Sequence, residues 1–229
     1  MIELLGNMGN DNTVANAARQ SFGNESWFEL PDNYSEDQRD RLISYLAKHR
    51  HMTPFRHNAQ TIQCKMPIFL ARQLGKHQAG LSWNEKSRRY TTDNIEFHTP
   101  FEWRNAPENG IKQGSHGVSE FSDKYKIEYE NLIKYSEEVY VHMISDGIAP
   151  EQARMVLPQS MMVDIVWTGN LLAFAHIYNE RIAPGAQLEA REFAKQLGDI
   201  MIELYPISWK SLCKNKYKMG VVELNDKTR

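Results

Sequence analysis

The sequence predicts an α+β fold: a helix-rich single domain over residues 1–229 with a small, mainly antiparallel sheet. Three observations lead there. Apolar residues at three- and four-residue spacing dominate the second half of the chain. Residues 60–66 alternate with period two. No repeat, low-complexity segment or linker divides the sequence.

Taken in order, "IELLG" reads as a short strand, and "DNTVANAARQSF" (11–22) as a short capped helix. Ser35, with Gln38 three residues on, forms a capping box ahead of "EDQRDRLISYLAKHR", whose Leu42, Ile43 and Leu46 share a face. In "QTIQCKM", Ile62, Cys64 and Met66 point one way and Thr61, Gln63 and Lys65 the other. Pro67 suits the first position of a helix "PIFLARQLGK", with Gly75 and Gly80 to end it. "RRYTTDNIEFHTP" reads as a further strand and residues 104–118 as a loop. Ser119 is positioned to cap a long helix reaching Asp146, with Gly147 as its stop and Phe121, Tyr125, Leu132, Val139 and Met143 as its apolar side. Pro150 opens "PEQARMVL". "MMVDIVWT" is a buried strand or helix, which periodicity leaves open. "NLLAFAHIYNER" and "GAQLEAREFAKQLGDIMIELY" are helices, the second with Leu188, Phe193, Leu197, Ile200, Met201 and Leu204 on a core face.

Hydrophobic residues at 41% and charged residues at 24% describe an ordinary globular chain. No apolar run is long enough to span a bilayer, so no membrane role is expected. "MIELLGNMGND" lacks a basic n-region and an apolar core, which points to a cytoplasmic protein. The net charge of −2 argues against a dedicated nucleic-acid binder, so no obligatory nucleic-acid partner is expected. Cys64 and Cys213 are expected to stay reduced.

Against this near-neutral balance, residues 65–90 hold Lys65, Arg72, Lys76, Lys86, Arg88 and Arg89 with Glu85 as the lone acid. Guanidinium groups match phosphate oxygens in pairs, and loop N–H groups around Gly80, Ser82 and Ser87 add donors. A lysine ending a helix also complements the helix dipole, which accounts for Lys76 but leaves Arg88 and Arg89 unexplained. The segment is therefore a candidate anion site. Other chemistries find less support. "IELLGNMGNDNTVANAA" lacks G-x-G-x-x-G, and there is no P-loop. His49, His51 and His57 have neither C-x-x-C nor H-E-x-x-H nearby, so no metal is expected. Cys64 falls on an apolar strand face; Cys213, in "SLCKNK", has lysines that would lower its pKa, yet no role is expected of either. Ser87 has no G-x-S-x-G elbow. Arg154 and Arg181 stand on segments otherwise made of core residues and are open to reading as surface charges or ligand contacts.

The run "HMTPFRH…IQCKMPIFLARQLGKHQAGLSWNEKSRRY" strongly resembles the flavin-dependent thymidylate synthase family. Its H-x-T-P-F-x-H, P-I-F-x-x-R-Q and N-E-x-S-x-R-Y blocks stand here at 51–57, 67–73 and 84–90. "MGNDNTVANAARQSF", "ARMVLP", "WTGNLLAF" and "AQLEAR" resemble further blocks, so the likeness spans nearly the whole chain. It implies a thymidylate-synthase-complementing-protein-like fold. It also implies reductive methylation of dUMP to dTMP, with methylenetetrahydrofolate as carbon donor, FAD as hydride source and NADPH to reduce the flavin. Alternatives are flavin-dependent hydroxymethylation of a pyrimidine deoxynucleotide, or a non-catalytic nucleotide- or RNA-binding module.

Position by position, the resemblance implies that Arg181 stabilises the activated pyrimidine. Gln73, Lys76, Glu85, Lys86, Ser87, Arg88, Arg89, Arg154 and Arg181 would bind dUMP. Thr53, Lys76, His77, Gln78, Glu85, Asn170, Leu171, Leu172 and His176 would meet FAD. A homotetramer with shared active sites is implied as well. Four departures stand out. Lys76 and Gln78 replace the arginines of the family's R-H-R signature, and the segment before "NEKS" is one residue longer. Lysine keeps charge without a two-pronged donor, and glutamine keeps hydrogen bonding without charge. His176 replaces a frequent asparagine, and Leu172 a frequent arginine. FAD retention is therefore expected to be weakened.

Overall fold

The computed structural model describes residues 2–23, 26–107 and 113–213. Its frame is a four-stranded antiparallel sheet of β1 (Ile2–Met8), β2 (Ala59–Pro67), β6 (Met162–Gly169) and β3 (Leu81–Glu85), in the order β1-β2-β6-β3. A two-stranded ribbon, β4 (Arg104–Asn105) with β5 (His116–Val118), lies apart from it.

The register explains the core. Ile62 faces Trp167, Cys64 faces Ile165 and Met66 faces Val163 across the β2–β6 pair, so two period-two apolar sets coincide on one face. "MMVDIVWT" is thus the sheet's inner strand: Val163, Ile165 and Trp167 are buried while Val166 is exposed. On the core face lie α6 (Leu171–Arg181) and α7 (Leu188–Leu204), and Trp167 meets Trp83, Phe174 and Phe193 at ring distances of 5.6, 5.9 and 6.2 Å. Around them pack α1 (Asp11–Arg19), α2 (Glu36–Lys48), α3 (Ile68–Leu74) and α8 (Pro206–Leu212). The capping box at Ser35 forms as expected: Ser35 Oγ accepts from Gln38 N, and Gln38 Oε1 accepts from Ser35 N. Asp11 is buried as well; its two oxygens accept from Ile207 N and Ser208 N and so cap α8 from across the fold.

Some local expectations change. Pro67 is not the first helical residue; it stays extended (φ −70°, ψ 151°), pairs with Met162, and hands the chain to α3 at Ile68. A residue without an N–H sits well at a strand end. "RRYTTDNIEFHTP" is not a strand. Ser87 O accepts from Tyr90 N and Thr91 N, Asn94 turns left-handed (φ 49°), and only Phe97 makes a bridge, to Met161. The strand lies earlier, at Leu81–Glu85. Residues 104–118 contain the β4–β5 ribbon, although 108–112 lie outside the described residues.

The long helix α4 (Ser122–Ser145) begins three residues after Ser119, whose Oγ instead holds Phe121 N in the preceding turn, and Gly147 (φ 81°) follows its end. Its buried residues are Ile133, Ser136 and Tyr140, set against α5 (Pro150–Ala153) and the turn 154–156, with Ser136 Oγ donating to Val156 O at 2.7 Å. The expected face is rotated outward: Phe121, Tyr125 and Leu132 are exposed, as are Ile127, Tyr135 and Val141. No helix among the described residues is long and apolar enough to cross a membrane.

Candidate active site

The loop between α3 and β3 organises the site. Gly75 closes α3, donating its N–H to Ala71 O, and a Cβ there would lie 3.0 Å from the Trp83 ring. Gly80, at φ +76°, carries the chain past Asn170, and a Cβ there would fall 2.6 Å from Asn170 Nδ2. Asn170 N donates to Gly80 O, and Asn170 Oδ1 accepts from Ala173 N, capping α6. Asn58, buried, accepts from Leu171 N at 2.7 Å and ties the turn carrying Thr53 to the same helix start. Residues 77–80 therefore lie beside α6, with Gly80 at its start and His77 facing the His176 and Arg181 side chains farther along.

At the far end of this run His77 meets α6. Nε and Nη2 of Arg181 lie 3.3 and 3.0 Å from His77 Nε2, and the His176 ring lies 5.5 Å from that of His77. Burial, reinforced by the charge of Arg181 and by His176, pushes the His77 pKa below its ordinary 6.5, against a small opposite pull from Glu180. Lys76 and Gln78 flank His77 as exposed side chains.

A second group gathers where β3 ends. Burial raises the Glu85 pKa, and the nearby Arg154 guanidinium pulls it back. Lys86 N donates to Asp164 O, continuing the ladder. Arg89 Nε donates to Ser87 Oγ at 3.4 Å, and its guanidinium lies 5.0 Å from the Tyr90 ring centre. The Glu85 group thus stands at the C-terminal end of β3, and the His77 group lies in the loop that precedes its first residue, Leu81.

Other residues named from sequence sit differently. Arg88 is buried, and its guanidinium donates to Asp93 O and Asn94 O, so it holds its own loop. Leu171 is fully buried in the core and Leu172 packs against it; both back the loop from within. Gln73 lies on α3 with a buried Oε1 that has no hydrogen-bond partner. Thr53 is exposed on the turn Thr53–Arg56, which packs on α6. Lys65 pairs with Glu96 and Arg72 is exposed on α3, so neither belongs to these groups.

His49 and His51 gather with Tyr45, and no metal-binding group of three occurs among the described residues. The thiols of Cys64 and Cys213 are both pushed up to about 12 by burial. For Cys213 burial is the cause, and the lysines of "SLCKNK", Lys214 and Lys216, lie outside the described residues. Asn58 and Trp83 were missed as positioning residues: a polar residue next to an alternating strand, and a Trp five residues before the basic pair, carry no local signal of their partners.

With this geometry in view, comparison with known proteins is informative. The family model "Thymidylate synthase complementing protein" matches residues 3–207. A flavin-dependent thymidylate synthase of Thermosipho melanesiensis is 35% identical over 225 residues, 96% of this chain and 93% of that one. Its counterpart from Thermotoga neapolitana is 33% identical over 222 residues, 95% and 92% of the two chains. Among solved structures, a UMP/dUMP methylase, PolB, from Streptomyces cacaoi, bound with 5-Br dUMP, superposes with a TM-score of 0.81 at 27% identity, covering 92% of this chain and 93% of its own. The extent of the match leads to one assignment: this chain belongs to the thymidylate synthase complementing protein family.

Proposed function

We propose that the protein converts dUMP to dTMP by reductive methylation, with methylenetetrahydrofolate as carbon donor and FAD, reduced by NADPH, as hydride source. The observation that carries this reading is a double grouping: Glu85 with Arg154, Ser87 and Arg89 at and after the end of β3, and Arg181 with His77 and His176 between α6 and the loop before β3.

In this reading Ser87, Lys86, Arg89 and Arg154 hold the nucleotide phosphate, and Gln73, Lys76 and Glu85 complete the dUMP contacts. Arg88 contributes by fixing the loop that carries Ser87 and Arg89. Arg181 donates to the pyrimidine and stabilises negative charge as its N3 proton leaves, which is where an aligned cation lowers a barrier most. Both thiols, at about 12, stay protonated near neutral pH, so activation by arginine takes the place of thiolate attack.

The residues present suit a flavin nucleotide. Among the described residues no carboxylate pairs with Lys76, and its ammonium, the amide of Gln78 and the hydroxyl of Thr53 are all exposed donors beside the loop that runs along α6. Lys76, His77, Gln78, Glu85, Thr53 and His176 would hold it, with Asn170, Leu171 and Leu172 shaping the support behind. When bound, FAD supplies the hydride for the one-carbon unit.

The His77 group precedes β3 in the chain and the Glu85 group ends it, and the proposed site draws on both. Protomers sharing sites in a homotetramer would close it, and the exposed apolar residues of α4 offer surface for such assembly. The chain is proposed to act as one domain over residues 1–229, in the cytoplasm.

The test is product analysis with tritium release from 5-³H-dUMP, with and without NADPH. dTMP formation dependent on FAD, folate and NADPH supports the reading. A hydroxymethyl product, or no turnover with dUMP bound, refutes it. UMP run in parallel is a needed comparison, since the Streptomyces neighbour is a UMP/dUMP methylase.

A further inference from the structure

We propose that His77 is a positioning residue for Arg181: its unprotonated Nε2 accepts from two adjacent N–H groups of the guanidinium and fixes the direction of the remaining ones toward the pyrimidine. This rests on the dUMP reading for its catalytic meaning, but the contact itself is independent of it.

The geometry leaves little freedom. Nε and Nη2 of Arg181 converge on one ring nitrogen, at 3.3 and 3.0 Å. A guanidinium has five donors and no acceptor, so Nε2 must carry a lone pair, and His77 must be the Nδ1–H tautomer. His77 is itself placed: its N–H donates to Leu74 O at 3.0 Å, just past the end of α3, and the loop behind it is pinned at Gly75 and Gly80. Arg181 stands in the last turn of α6. An arginine there has several rotatable bonds, and a planar acceptor held by a separate element removes much of that freedom before a ligand arrives.

The contact exists only while His77 is neutral. A protonated ring offers two donors and no acceptor, beside a fixed positive charge. Among the described residues, the charged and titratable groups that act on it are on α6: Arg181 and His176, which oppose its protonation, and Glu180, which favours it. Burial opposes protonation as well. A folded pKa below 6.5 means the contact is intact near neutral pH and is lost as pH falls through that lower value. His176 puts a second imidazole beside the ring and so helps set that threshold.

The experiment labels histidine with ¹³C and ¹⁵N in the full-length protein and titrates His77 by NMR, assigned by loss of its signal in His77→Gln. The expected result is an Nδ1–H tautomer titrating below pH 6.5. Arg181→Ala and His176→Asn should each raise that midpoint, and Glu180→Gln should lower it. In parallel, dTMP formation is followed against pH at saturating FAD. His77→Leu should cut kcat roughly 10–100-fold with a smaller change in KM for dUMP. His77→Gln, which returns an acceptor oxygen, should recover most of it and flatten the acid limb. An Nε2–H tautomer in the wild type, or a midpoint indifferent to Arg181→Ala, overturns the contact. Normal kcat and an unchanged acid limb in His77→Leu overturn the positioning role while leaving the reaction standing. If the imidazole titrates as described but no dTMP forms under any condition, the contact is supported and the substrate reading falls.

Discussion

Gly80→Ala is the sharpest probe of how the loop is held. Gly80 has φ +76°, and an alanine Cβ would fall 2.6 Å from Asn170 Nδ2 and 3.4 Å from Ala173 Cβ. Two costs add. An L-residue held left-handed loses about 1–2 kcal/mol. Asn170 must also move, which disturbs its 2.9 Å cap on Ala173 N, an interaction of about 0.5–2 kcal/mol. Together that is roughly 2–4 kcal/mol. For a chain of this size, at about 2–4 °C per kcal/mol, Tm should fall by roughly 5–15 °C. The decisive assay is a double-mutant cycle with Asn170→Ala, read by urea denaturation and by FAD titration. Asn170→Ala removes both the clashing atom and the cap, so Gly80→Ala should then cost only the backbone strain of about 1–2 kcal/mol. Additivity within about 0.5 kcal/mol would refute the reasoning, because it would mean that Asn170 is not what Gly80 must avoid. FAD affinity should weaken in Gly80→Ala more than in the Asn170→Ala background.

Cys64→Ala/Cys213→Ala should keep most dTMP formation when compared at matched folded fraction, since near pH 8 thiols at about 12 are ionised to only about one part in 10⁴; abolished turnover in a folded protein would contradict this. Asn58→Leu leaves Leu171 N without its buried acceptor and should cost roughly 1–3 kcal/mol in urea unfolding, more than Asn58→Asp at neutral pH. Arg154→Ala should raise the Glu85 pKa further, because burial would then act unopposed; carbonyl ¹³C titration of Glu85 would show it. Glu189 is held below its ordinary 4.5: burial alone would raise it, but Arg104 and neighbouring donors more than offset that. Its stabilising share is therefore present above pH 4.5 and lost as pH falls through the lower folded value, so Glu189→Gln should flatten the acid side of a stability–pH curve.

How much of this was legible beforehand depends on the range of the forces involved. Local signals were read well: the Ser35–Gln38 capping box, the alternation of Ile62, Cys64 and Met66, and the core face of α7 at Phe193, Leu197 and Met201. "MMVDIVWT" could not be placed because a doubly paired strand and a buried helix both read as continuous apolar residues; its partners on both sides decide the matter. α4 misled because several of its apolar residues face outward, so the sequence offers two stripes and only contact with α5 selects Ile133, Ser136 and Tyr140. In the candidate site, the basic segment announced its charge but not its division. Arg88 and Arg89 are adjacent in sequence, yet one holds carbonyls of its own loop and the other is exposed. The meeting of His77 with Arg181 spans 104 residues and has no trace in local spacing.

The ladder that holds β3 has a consequence for tolerance to change in this region. The strand Leu81–Glu85 is locked to Ile165–Gly169 rung by rung, so an insertion inside it would reverse which side chains look inward from that point on. The stretch between Gly75 and Gly80 has no such ladder, and its exposed Lys76, Gln78 and Ala79 leave room for a change in length. Drift in chain length is thereby steered to the side of Lys76, His77 and Gln78, while the end that carries Ser87 and Arg89 keeps its measure. Relatives that gain or lose a residue at this turn should vary in flavin retention and agree in their grip on the nucleotide.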